Sequence, residues 1–161
     1  MKKTISLRVN GIEQSAEVAP RMTLLELVRE RFNLTGAKLG CDIQVCGACT
    51  LLVDGKPMSA CSMLAVDADG CDILTVEGLS GKDSLHPLQE AFMEFGALQC
   101  GYCTSGFLLT AKALLDEIPR PTEQEIREYL AGNFCRCGCY QEIIQAIKNV
   151  RSKASGVKRQ E

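Results

Sequence analysis

Histidine occurs once in the 161 residues, at position 86, and tryptophan not at all. A nucleophile, base and orienter cannot be assembled around one histidine that sits beside Pro87 at a predicted helix start, where a capping or solvent-facing role is expected. No apolar stretch approaches the roughly 20 residues needed to cross a bilayer. Lysine and arginine number 18 against 20 aspartate and glutamate, a net charge of −2. With no basic run in the chain, a nucleic-acid footprint or a polybasic membrane patch is not expected. Neither G-x-G-x-x-G nor a phosphate loop is present, so a dinucleotide has no recognisable cradle. At the start, MKKTISLRVNG alternates apolar Ile5, Leu7 and Val9 with polar residues and carries no twin arginine, whereas a secretory signal needs an unbroken apolar core. The expected location is the cytoplasm.

Cysteine, by contrast, is abundant, with ten residues. In a reducing compartment, thiols in tight clusters are metal ligands or catalytic groups rather than disulfide partners. Cys71, alone in CDILTVEG, reads as a small core residue. The other nine fall into two constellations. In LGCDIQVCGACTLLVDGKPMSAC, Cys41, Cys46 and Cys49 have the C-x4-C-x2-C spacing of plant-type [2Fe-2S] ligation, with Cys61 as the fourth thiol. Two ferric ions, two sulfides and four thiolates carry net negative charge, so backbone N–H groups must point at sulfur and the chain must wrap closely. Gly40 and Gly47, each beside a cysteine, allow that approach. Asp42 and Gln44 are expected to face solvent.

QCGYCTSG and NFCRCGCY form the second constellation. Cys100 and Cys103 precede one predicted helix and Cys135 and Cys137 another, so two helix N-termini, with their unpaired donors and positive dipole ends, would converge on an anionic centre. Gly101 and Gly138 again fit close wrapping. Spacing alone leaves Cys139 able to replace Cys135 or Cys137. Arg136 either adds positive charge or holds a carbonyl, and Tyr102 and Tyr140 either shield sulfur from water or simply pack.

The two halves of the chain have different grammar. Asn10-Gly11 joins two alternating runs, TISLRV and IEQSAEV, as a hairpin. Thr23 and Glu26 make a capping box for a short helix carrying Leu24, Leu27, Val28 and Phe32. TLLV, Asp54-Gly55 and KPMSA give a second hairpin, and DILTV a further strand. This predicts an α+β fold, with an N-terminal β-grasp domain over residues 1–79. The linker-like EGLSGKDS leads into residues 80–151, where apolar spacing of three and four predicts four helices. Phe92, Phe95 and Phe107 fall at core positions of that pattern. Residues 152–161 lack apolar periodicity and read as a flexible tail.

Taken with both constellations, the segments CGACT, QCGYC and GNFCRC followed by Tyr140 make the chain resemble the small iron-sulfur subunit of the xanthine dehydrogenase family of molybdenum hydroxylases, over about residues 5–148. The resemblance implies that Cys41, Cys46, Cys49 and Cys61 hold one [2Fe-2S] cluster in a plant-ferredoxin-like domain. It implies that Cys100, Cys103, Cys135 and Cys137 hold a second in the four-helix domain, with Cys139 spare. Gln99 and Cys137 would lie against the pterin of a molybdopterin cofactor bound by a large partner subunit, and FAD would sit on a separate medium subunit. Many members have proline where Ser105 stands and glycine where Cys139 stands, departures that touch the geometry of the second centre. The implied role is a relay of single electrons from the molybdenum centre to FAD or another acceptor, with no substrate chemistry on this chain. Two rival readings are a free ferredoxin-like carrier, which leaves the helical half unexplained, and a structural zinc protein, since four cysteines also suit tetrahedral zinc.

Overall fold

A computed structural model describes residues 2–81 and 84–154. The first half is a five-stranded sheet: β1 (Lys3–Val9), β2 (Ile12–Val18), β3 (Thr50–Val53), β4 (Lys56–Ser59) and β5 (Asp72–Leu74), in the order β2-β1-β5-β3-β4. β1 and β5 run parallel, and the other pairs are antiparallel. Both hairpin turns take the backbone that their dipeptides favour. Asn10 and Gly11 have φ of 51° and 79°, and Asp54 and Gly55 have 49° and 80°, the positive pair that matches the twist of the flanking strands. Ile5, Leu7, Val9 and Leu51 are buried on one core with Leu24, Leu27 and Val28, so the alternating pattern of the sequence becomes the inner face of the sheet.

The helix across that face, α1 (Leu24–Glu26), continues as a π-type turn, Leu27–Arg31. Its capping box is formed: Thr23 Oγ1 accepts from Glu26 N at 3.1 Å, and Thr23 N donates to Glu26 Oε2 at 2.7 Å. Beyond it the chain enters the first cysteine loop.

Four helices make up the second half: α2 (Pro87–Glu94), α3 (Thr104–Glu117), α4 (Glu123–Tyr129) and α5 (Tyr140–Ala154). His86 caps α2, its Nδ1 accepting from Leu88 N at 3.2 Å. Phe92 and Phe107 are fully buried in the helical core, as their spacing predicts. Leu79, inside the segment read as linker, is buried in the same core.

Helix α3 holds the halves together because it is apolar on two sides. Leu109 and Ala113 join the core of the sheet, while Phe107, Leu108, Ala111 and Leu114 join that of the helices. Helix α5 runs to Ala154, past Ser152 where the tail was expected to begin; the rest of that expected tail, residues 155–161, lies outside the described residues. Among the described residues no helix is long and apolar enough to cross a membrane.

Candidate iron-sulfur centres

All ten cysteines are free thiols. The first loop is shaped by backbone that ordinary residues seldom adopt. Asp42, Gln44 and Gly47 have φ of 59°, 62° and 66°, and this repeated reversal turns successive amides inward as a nest. The amides of Ile43, Val45 and Cys46 point at Cys41 Sγ from 3.5, 3.3 and 3.3 Å. These bonds, that of Ile43 foremost, lower the Cys41 thiol to about 7 against the opposing effect of burial. Asp42 and Gln44 are exposed, as expected. What the sequence does not reveal is that their left-handed backbone builds the nest.

The thiols lie in pairs. Cys41 meets Cys46, and Cys49 meets Cys61, with the second pair buried. Burial pushes Cys49 up to about 12, helped by contact with Cys61. Gly40 leaves the room its neighbour needs, for a Cβ there would stand 2.7 Å from Cys46 Sγ. Gly47 serves a different end from the one expected of it. A Cβ at Gly47 would meet Asn133 Nδ2 and Gly132 O, each at 2.5 Å, so its space admits the loop of the helical half rather than sulfur.

In that half Cys103 stands at the N-terminal end of α3 and meets Cys135 in the loop before α5. Burial raises Cys103 to about 12, with the Cys135 contact adding to it. Cys135 is lowered: burial opposes this, but amides of Cys139, Cys137 and Gly138 and the Cys103 thiol outweigh it. Cys139 is buried, and its N–H donates to Cys135 Sγ at 3.5 Å. Burial, followed by its charged neighbours, pushes the Cys139 thiol up. Cys100, Cys137 and Gln99 are all exposed. Gly101 and Gly138 have φ of 80° and 83° with nothing within 4 Å of an added Cβ; they turn the chain rather than clear space for sulfur. Among the described residues no three His, Cys, Asp or Glu side chains close on a single ion. Paired thiols, amides aimed at sulfur and a glycine cleared for sulfur fit a two-iron centre, in which each iron takes two thiolates.

The two loops are laced to each other by residues that spacing does not pick out. Phe134 N, next to Cys135, donates to Cys46 O at 2.9 Å. Buried Asn133 donates from Nδ2 to Gly47 O at 3.2 Å. Tyr102 OH donates to Leu39 O at 2.7 Å, and Cys135 N donates to Tyr140 OH at 2.8 Å. Tyr102 therefore ties the two loops together, while Tyr140 closes the loop that precedes its own helix. Tyr140 also packs edge-on against Phe107, with ring centroids 6.2 Å apart. Cys71 lies far from these loops in sequence and rests partly buried against the core of the sheet.

Residues 7–74 match the 2Fe-2S iron-sulfur cluster binding domain, and residues 75–148 the [2Fe-2S] binding domain. The nicotinate dehydrogenase small FeS subunit of Eubacterium barkeri is 50% identical over 149 residues, covering 91% of this chain and 94% of its own. The chain belongs to the iron-sulfur subunits of the xanthine dehydrogenase family. The crystal structure of quinoline 2-oxidoreductase from Pseudomonas putida 86 matches with a TM-score of 0.92 and 48% identity, covering 96% of each chain. The aldehyde oxidoreductase of Desulfovibrio desulfuricans matches 98% of this chain at a TM-score of 0.91 and 38% identity, yet only 18% of its own chain is covered. In that relative the same two-domain unit forms part of a much longer polypeptide. Members of this family are subunits of oxidoreductase complexes, and this chain is the iron-sulfur subunit, with a ferredoxin-like domain followed by a helical [2Fe-2S] domain.

Proposed function

We propose that Cys41, Cys46, Cys49 and Cys61 hold one [2Fe-2S] cluster and Cys100, Cys103, Cys135 and Cys137 the other. The observation that carries this reading is the pairing of the thiols: Cys41 with Cys46, Cys49 with Cys61, and Cys103 with Cys135. A bound [2Fe-2S] cluster supplies one-electron redox chemistry and has no open coordination position for a substrate. The chain's own part is to fix the thiolates, to aim N–H groups at sulfur, and to join the two sites by a short path. From Cys46 that path runs along its own backbone to the carbonyl, across one hydrogen bond to Phe134 N, and through one peptide unit to Cys135.

The partner follows from the exposed side of the second site. Gln99, Cys100 and Cys137 lie at the surface, where Gln99 and Cys137 are free to meet a molybdopterin cofactor held by a large subunit. The first site then delivers electrons towards FAD on a medium subunit, and the whole works in the reducing cytoplasm, where clustered cysteines serve as metal ligands and not as disulfides. Substrate choice belongs to the large subunit.

The test is electron paramagnetic resonance of the reduced complex. Cys46→Ser should remove one of two distinguishable [2Fe-2S] signals and Cys103→Ser the other. Loss of a single common signal in both variants would contradict two separate sites, and a colourless, iron-free wild type would return the zinc reading.

A further inference from the structure

Arg136 lies between two cysteines, and its role follows from what surrounds its side chain. It lines a cavity of about 300 Å³ together with Cys41 and Cys46 from the first site and Cys100 and Cys103 from the second. No carboxylate lines that cavity. Other cations, Lys112 and Arg127 among them, have an aspartate or glutamate within 4 Å. Arg136 has no such partner and no carbonyl to hold among the described residues, so the carbonyl-holding alternative open in the sequence finds no support in the structure. A guanidinium stays protonated throughout the physiological range. Its complement here is the negative charge that the sulfur ligands acquire on binding iron.

We propose that Arg136 is a counter-charge shared by the two iron-sulfur sites, raising the reduction potential of both. The reasoning is electrostatic. Each site becomes one unit more negative when it takes an electron, so a fixed cation facing both favours the reduced form of both. In the free subunit water screens this exposed side chain. In the assembled complex, a partner covering the exposed Leu39, Val45 and Phe134 around the loops removes that water and strengthens the effect. Arg136 thus acts as a tuning residue and binds no iron itself.

This inference rests on the two-cluster reading, and its test separates the two. In the purified complex, the reduction of each signal is followed by electron paramagnetic resonance against applied potential for wild type, Arg136→Gln and Arg136→Lys. At the potential that half-reduces each wild-type site, Arg136→Gln should show both sites several-fold less reduced, where a tenfold change in ratio corresponds to about 59 mV. Arg136→Lys, which keeps the charge, should stay close to wild type. Unchanged potentials in Arg136→Gln would overturn the proposal, as would a shift confined to one site. Loss of a signal from Arg136→Gln, or a lysine variant that behaves like glutamine, would show a structural role and overturn it too. Absence of two signals from the wild type would instead strike the two-cluster reading.

Discussion

Replacing Gly106 by alanine should destabilise the protein, against the rule for helices. Gly106 lies in the first turns of α3, where alanine is favoured over glycine by about 1 kcal/mol on propensity alone. The added methyl would stand 2.1 Å from Gly47 O, 3.1 Å from Gly47 C and 3.2 Å from Asn133 Nδ2. The first two are backbone atoms and cannot rotate aside. Gly47 O is held by three donors, Thr50 N, Thr50 Oγ1 and Asn133 Nδ2. To restore an ordinary 3.4 Å contact from 2.1 Å, α3 and the first cysteine loop must part by about 1.3 Å. Overpacking of this kind costs roughly 1–3 kcal/mol. A broken Asn133 bond adds roughly 1–3 kcal/mol, because the amide is buried. Set against the helical gain of about 1 kcal/mol, the net loss is roughly 1–5 kcal/mol. Denaturant unfolding of the cluster-loaded protein, followed by its visible absorbance, measures it. Gly132→Ala is the control, since nothing lies within 4 Å of its added Cβ, and it should change stability by no more than about 0.5 kcal/mol. If Gly106→Ala equals or exceeds the wild type, the two loops are not packed as described.

Cys139→Ser should leave both [2Fe-2S] signals in place, because Cys139 contributes its backbone N–H to Cys135 Sγ, and serine keeps that amide; a missing second signal would make Cys139 a ligand. Burial, aided by nearby Lys112 and opposed by Asp116, lowers the His86 pKa. A base whose folded value is depressed adds its full share of stability above the unfolded value of about 6.5 and loses it as pH falls through the lower folded value. His86→Asn keeps an N-cap acceptor without the titration, so pH-dependent thermal unfolding should be flatter for the variant on the acid side of pH 6.5. Superimposable profiles would show that His86 does not titrate between the folded and unfolded states.

Local grammar made much of the fold legible. Asn10-Gly11 and Asp54-Gly55 fix their turns through backbone preference, Thr23-Glu26 and Thr122-Glu125 close capping boxes within four residues, and the periodicity around Phe107 marks a buried helix. The cysteines were legible because metal ligation imposes spacing. The contacts between the halves were not. Gly47 and Asn133 are 86 residues apart, and Gly106 touches Gly47 only because α3 is apolar on two faces, which periodicity reports as one buried helix without saying which side meets which domain. Gly47 seemed to make room for sulfur because a cysteine stands beside it, whereas its neighbours in space are Gly132 and Asn133. The π-type turn at Leu27–Arg31 also carries no sequence mark. It arises where the chain leaves α1 for the cysteine loop, with Phe32 N reaching back to Leu27 O.

The central claim is that this chain carries two separate one-electron centres. Its most direct test is spin quantification of the fully reduced complex by electron paramagnetic resonance, alongside iron and acid-labile sulfide analysis. The account predicts two distinguishable spins per chain, with iron and sulfide in equal amounts and two of each for every spin. A single spin at full iron occupancy, or zinc in place of iron, would contradict it.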